Sequence, residues 1–230
     1  MSNQSAGARR QFGEGPLAQV AALVYCLMTV ELLMLVAILP GLVPLVVLDR
    51  DASNAPLAVL CLLPVGPALS AALFALRQHR GDLTDLHPAA EFWRGYRLNF
   101  GGVLKVWVPW LAAMAVIAEN LSHLRAAGVP GWWAAVLVVI AVVAVLWVAN
   151  ALVITSLFTF RTVDVVRLAA YFLGRTKGVT FGNFCLLVVA VGVVDLTSEL
   201  VLAVVGVVFA GALLRTAEPM ARQVKEQFTA

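Results

Sequence analysis

Five apolar runs, separated by polar segments, lay out the chain. They are Leu17–Leu39, continuing past Pro40 and Pro44 to Leu48; Pro56–Leu76; Val103–Ala118; Trp132–Phe160; and Phe184–Leu214. A membrane-crossing helix needs about 20 predominantly apolar residues, so the pattern predicts a span in every run, with a short one at Val103–Ala118. Prolines 40 and 44 are expected to end or kink the first helix. Asp49–Asn54 reads as a tight polar turn and Glu119–Gly131 as a loop. Arg77–Gly102 and Arg161–Asn183 are two long polar connectors.

The first and last runs are long enough to cross once or twice, and the cations decide between these. Cytoplasmic loops collect Lys and Arg. One crossing for the first run and two for the last put fourteen of the sixteen Lys and Arg residues on one side, leaving Arg50 and Arg125 outside. Any other choice splits the two connectors or exports the basic tail. The prediction is an all-α, polytopic membrane helix bundle of six transmembrane helices with both termini cytoplasmic. Residues 1–16 form a loose N-terminus, 17–214 one transmembrane domain and 215–230 a cytoplasmic tail. A re-entrant hairpin is the rival for Phe184–Leu214. Arg9-Arg10 faintly resembles an export signal, but the run after it is too long for a cleaved signal core.

Composition agrees. The chain is 62% hydrophobic and 13% charged, where a soluble domain carries about 25% charge. Cys26, Cys61 and Cys185 lie isolated in apolar runs and read as packing residues.

Both connectors have an amphipathic stretch. On a helical wheel Ala89, Phe92, Trp93, Tyr96 and Phe100 share an arc of about 100°. Glu91 and Arg94 point elsewhere as an ion pair. In the second connector Val165, Val166, Ala169, Phe172 and Leu173 share one face, and Arg161, Asp164, Arg167 and Arg175 the other. Two amphipathic helices on the cytoplasmic interface are predicted, with Arg94, Tyr96, Arg97, Arg161, Arg167, Arg175 and Lys177 meeting lipid or a partner. Packing of the rings on the protein's own spans is the equal alternative. Leu73-Phe74, Arg77 and Asn99-Phe100 recur 84 positions later as Leu157-Phe158, Arg161 and Asn183-Phe184. Identity elsewhere at this offset is sparse, and chance is the better explanation.

Pro64-Val-Gly66-Pro67-Ala, the Ala-rich helix to Arg77, then Glu91-Phe92-Trp93 and Asn99-Phe100 resemble the YesL-like family of bacterial membrane proteins of unassigned function. The stretch from Thr162 to Tyr171, with Gly178–Asn183 and Phe184, resembles that family's second inner connector. The chain departs from the pattern by extra residues between Pro40 and Gly66-Pro67. The resemblance implies a membrane accessory role tied to carbohydrate uptake, with a sugar-uptake system as the partner.

Four polar residues interrupt the spans. Glu31 sits deep in the first run, where a charge costs about 3 kcal/mol or more. It is either a ligand- or proton-binding carboxylate or a group sealing helix contacts; Asn150 is a candidate partner for it, with a packing hydrogen bond between helices the favoured role for that asparagine. Asp195 and Glu199 are one turn apart at the expected tip of the last hairpin. They either flank an ion or are simply solvated there. His79, Asp82, Asp85 and His87 lack metal-ligand spacing. No catalytic motif, cofactor motif or metal site is present in the sequence, and no enzyme activity or nucleic-acid binding is expected. The function expected is a non-enzymatic accessory or scaffold protein contacting lipids and a membrane partner. The alternative is a small transporter or channel using Glu31.

Overall fold

The computed structural model describes residues 16–48, 54–79, 87–124, 130–197 and 199–228. Among these residues every regular element is helical. Helix α1 (Pro16–Val47) runs unbroken through Pro40 and Pro44. The first run is therefore one helix and not a hairpin. Cys26, Val30, Met34 and Ile38 form its buried stripe at a spacing of four, as a helix facing a core on one side requires.

The second run is broken, giving α2 (Ala55–Cys61) and α3 (Val65–His79). Pro64 and Pro67 carry no N–H, so the ladder cannot continue across Leu62–Pro64. Helix α3 buries Ala68, Ala71, Ala72 and Ala75. These small residues let neighbouring helices approach closely.

Helix α4 (Pro88–His123) corrects an expectation. Its 36 residues form one helix of about 54 Å, against a hydrocarbon core of about 30 Å. Pro88–Phe100 is not a separate in-plane helix but the leading third of a continuous rod. Gly101 and Gly102 do not interrupt it. The rod runs antiparallel to α3 in close contact: a Cβ on Gly66 would stand 2.6 Å from the Trp107 ring, and one on Gly95 2.8 Å from Phe74. Phe92 is fully buried, whereas Trp93 and Phe100 are about 40% exposed. The aromatic arc thus straddles a boundary, with one edge packed on the protein.

Helix α5 (Trp132–Leu157) is followed by α6 (Thr162–Arg175) and α7 (Lys177–Leu196). The α6 segment is a separate amphipathic helix that buries Val165, Leu168, Ala169 and Phe172. It does not extend away from α5. Trp147 Nε1 donates to the Val166 carbonyl at 3.2 Å, so α6 folds back beside α5. The return from α7 is made by α8 (Glu199–Val204) and α9 (Gly206–Thr216), with a break at Val205. The tail is more than a charged extension. It forms α10 (Glu218–Phe228), with Met220 and Val224 fully buried in the core.

Five helical segments are long and apolar enough to cross a membrane: Val20–Val47, Leu57–Gln78, Pro88–His123, Trp132–Leu157 and Lys177–Leu196. Helix α9 is apolar but short. Contacts between Phe74 and Gly95, Leu76 and Gly211, and Thr216 and Gly182 bring the C-terminus of α3, the N-terminal third of α4, the C-terminus of α9 and the start of α7 alongside one another.

Candidate functional site

Three arrangements gather the polar residues. The first is built on Glu31, which is only 8% exposed. The Val207 N–H donates to its Oε2 at 2.7 Å. Val207 is the second residue of α9, and the first N–H groups of a helix lack partners of their own. A carboxylate placed there satisfies one donor and complements the positive end of the helix dipole. Gly206 makes the approach possible, since a Cβ on it would collide with the Met34 side chain of α1. The other carboxylate oxygen, Oε1, is buried without a hydrogen-bond partner among the described residues. Asn150 does not pair with Glu31 and instead makes a packing hydrogen bond with Asn183, the favoured expectation for it. Backbone donors freed at the helix break take its place.

The second arrangement is a polar seam on the C-terminal half of α5. Asn183 Nδ2 of α7 donates to Asn150 Oδ1 at 3.2 Å. Six residues further on, Ser156 meets Ser70 of α3 with 2.8 Å between hydroxyl oxygens. The Ser156 hydroxyl donates its proton to the Leu152 carbonyl, so Ser70 is the donor in that pair. Asn99 Nδ2 of α4 reaches the Ser156 carbonyl at 3.5 Å. Both asparagines of the two Asn-Phe pairs therefore hold α5. Phe184, like Phe100, turns outward. Asn150 Nδ2 and Asn183 Oδ1 are buried without hydrogen-bond partners among the described residues.

The third arrangement is a set of exposed cations. Arg77, Arg94, Arg97, Arg161, Arg167, Arg175 and Lys177 are all exposed. Arg94 pairs with Glu91 at 3.7 Å, as the spacing predicts. Tyr96 differs from these residues in being half-buried, stacked between Phe92 and Phe100.

The motif residues have packing roles. Pro64 and Pro67 set the α2–α3 break, and Gly66 seats Trp107, whose Nε1 donates to the Leu62 carbonyl at 3.0 Å. Asp195 is exposed near the end of α7, and the Glu199 side chain, Asp82 and Asp85 lie outside the described residues. Among the described residues no cluster of His, Cys, Asp and Glu is arranged to hold a metal. Of the three cysteines, Cys26 is buried and Cys185 is exposed, so the packing role fits the first only.

The sequence reading missed Ser70, Ser156 and Val207. Two serines in apolar helices and a glycine just after Val205 were the available signals, but neither names its partner.

No curated protein and no solved structure matches the chain. A family model described as a protein of unknown function, DUF624, matches residues 23–121, a stretch that includes Glu31, the Gly66-Pro67 and Asn99-Phe100 motifs and all of the first connector, and ends before the second.

Proposed function

We propose that the protein is a non-enzymatic accessory or scaffold component of the cell membrane. It crosses six times, counting α8–α9 as the last return, and keeps both termini and both connectors cytoplasmic. The observation that carries this reading is how its polar groups are used. Those inside the bundle bond helix to helix, as in Glu31 to Val207, Asn183 to Asn150 and Ser70 to Ser156. The cations of the connectors point outward instead, and Arg97, Arg161, Arg167, Arg175 and Lys177 form no ion pair among the described residues. Such groups attract anionic lipid headgroups at about 1 kcal/mol each and suit an acidic face on a membrane partner. The YesL-like resemblance points to a sugar-uptake system as that partner.

Two measurements test the proposal. Labelling of Arg94→Cys in intact cells with an impermeant maleimide is expected to give no signal until the membrane is opened. Co-purification of a partner in mild detergent is expected to fall when Arg161, Arg167 and Arg175 are together changed to Glu. External labelling, or a partner unaffected by charge reversal, overturns the reading.

A second reading, proton-coupled transport, is favoured by one observation: the unpartnered Oε1 of Glu31 beside a discontinuous helix. Broken helices whose half-helix ends meet charged groups are how many transporters build their sites. Proteoliposomes carrying a pH-sensitive dye should then acidify under a proton gradient with the wild type and not with Glu31→Gln. Equal leak in both removes this reading.

A further inference from the structure

The residues between Pro40 and Pro67, which depart from the YesL-like pattern, form one wall of an open apolar groove of about 680 Å³. Pro40 and Pro44 of α1, with Leu57 and Leu60 of α2, build that wall. The opposite wall is a stripe of α4, made of Tyr96, Phe100, Leu104 and Val108. These four recur every fourth residue, so they line one side of the rod over about 18 Å. The prolines explain why the groove stays open. Pro64 and Pro67 carry no N–H, and the α-helical ladder is interrupted between α2 and α3.

We propose that this groove is a binding site for an acyl chain of an anionic phospholipid. Its walls are hydrocarbon except at the tyrosine end, where the Tyr96 hydroxyl is the polar mark, and tyrosine collects at membrane interfaces for this reason. Arg97 follows directly, three residues before Phe100 on the adjoining face, exposed and without an ion pair among the described residues. An acyl chain along the stripe ends its headgroup within reach of that guanidinium, where a phosphate accepts two parallel hydrogen bonds. The volume lies in the range of about 300–1,000 Å³ typical of small-molecule sites.

Native mass spectrometry of the full chain, exchanged into mixed micelles with equal phosphatidylglycerol and phosphatidylcholine, tests the site. The wild type should retain one phosphatidylglycerol in preference to phosphatidylcholine. Leu57→Phe and Val108→Phe fill the groove from positions that are already about half exposed, so they leave the core untouched. Each should lower lipid retention by about tenfold, equivalent to about 1.4 kcal/mol. Arg97→Glu should remove the headgroup preference while a lipid is still retained. The proposal is overturned if the wild type retains no lipid or shows no headgroup preference. Unchanged retention in both filled variants overturns it too. So does loss of self-association or of a protein partner on filling the groove while lipid is still held, because the groove is then a protein-docking surface.

Discussion

Replacing Gly66 by Ala puts the contact between α3 and α4 to a quantitative test. The new Cβ falls 2.6 to 2.8 Å from Cγ, Cδ2 and Cδ1 of Trp107, against a favourable carbon–carbon separation of about 3.5–4.0 Å. The ring cannot retreat cheaply. Trp107 is 6% exposed, and its Nε1 donates to the Leu62 carbonyl, which also accepts from the Val65 N–H. Moving the ring sacrifices that bond, worth about 0.6 kcal/mol between membrane helices, and keeping it compresses the contact. Overpacking of this kind costs about 1–3 kcal/mol. The internal control is Gly101→Ala on the neighbouring helix, where a Cβ meets nothing within 4 Å. There the only change is removal of a helix-interior glycine, worth about 0.5–1 kcal/mol in favour of the variant. The two glycine substitutions therefore differ in sign.

Reversible unfolding of the purified protein by SDS in mixed micelles, followed by far-ultraviolet circular dichroism, reads both. Trp107→Leu supplies the second axis. If the collision is with the indole, Gly66→Ala should cost under about 0.5 kcal/mol in that background, giving a coupling of about 1–2 kcal/mol across the cycle. Equal effects of Gly66→Ala in both backgrounds, or stabilisation like that of Gly101→Ala, would refute the account of how α3 and α4 are held.

Two further substitutions separate packing from surface. Phe92→Ala should destabilise by about 3–5 kcal/mol because a fully buried ring leaves a cavity, while Trp93→Ala, one residue on and largely exposed, should cost less than about 1 kcal/mol in the same unfolding assay. Similar losses for both would mean that the aromatic arc is wholly buried. Asn183→Leu should cost about 1–2 kcal/mol by stranding the Asn150 amide. Adding Asn150→Leu should recover much of that loss, since apolar replacement of both partners is close to neutral; an additive double variant would count against the pair.

The hydrophobic pattern made the helices legible, and their number of apolar runs, because burying backbone in lipid leaves helices as the main option and length alone marks them. The ion pair Glu91–Arg94 and the separate identity of α6 were legible for similar local reasons. The continuity of α4 was not. A period of 3.6 is the same whether the apolar arc meets headgroups or another helix, so Phe92 and Trp93 look alike in sequence although only the first is fully buried. The helix of the tail was not read because its charges are frequent, yet Met220 and Val224 are spaced four apart and both go inside. Gly66, Gly95 and Gly206 were visible as residues, but which side chain each admits depends on a neighbour far along the chain.

The site was harder to read than the fold for one physical reason: the partners of the important side chains are backbone groups exposed where helices break. With no water in the hydrocarbon core, a freed N–H or C=O costs several kcal/mol unless something bonds to it. At three breaks among the described residues a side chain bonds to the local backbone. At Leu62–Pro64, Trp107 donates to the Leu62 carbonyl. At Thr176, between α6 and α7, the Thr180 hydroxyl reaches back to the Leu173 carbonyl and that of Thr176 to Phe172. At Val205, Glu31 accepts from Val207, 176 positions away in sequence. Asn150 was open to Glu31 only as the lesser choice beside a packing hydrogen bond, and the true partner stayed hidden because a backbone amide carries no label in the sequence. On this account a buried polar residue that lacks a side-chain partner points first to an interrupted helix nearby. The test of that rule here is Gly206→Ala combined with Met34→Ala, which makes room for the new Cβ: the Glu31–Val207 bond should survive, and Glu31→Gln should cost the same about 1–3 kcal/mol in this background as in the wild type. A Glu31→Gln cost that vanished in the double variant would show that the carboxylate is held by Met34 packing and not by the open end of α9.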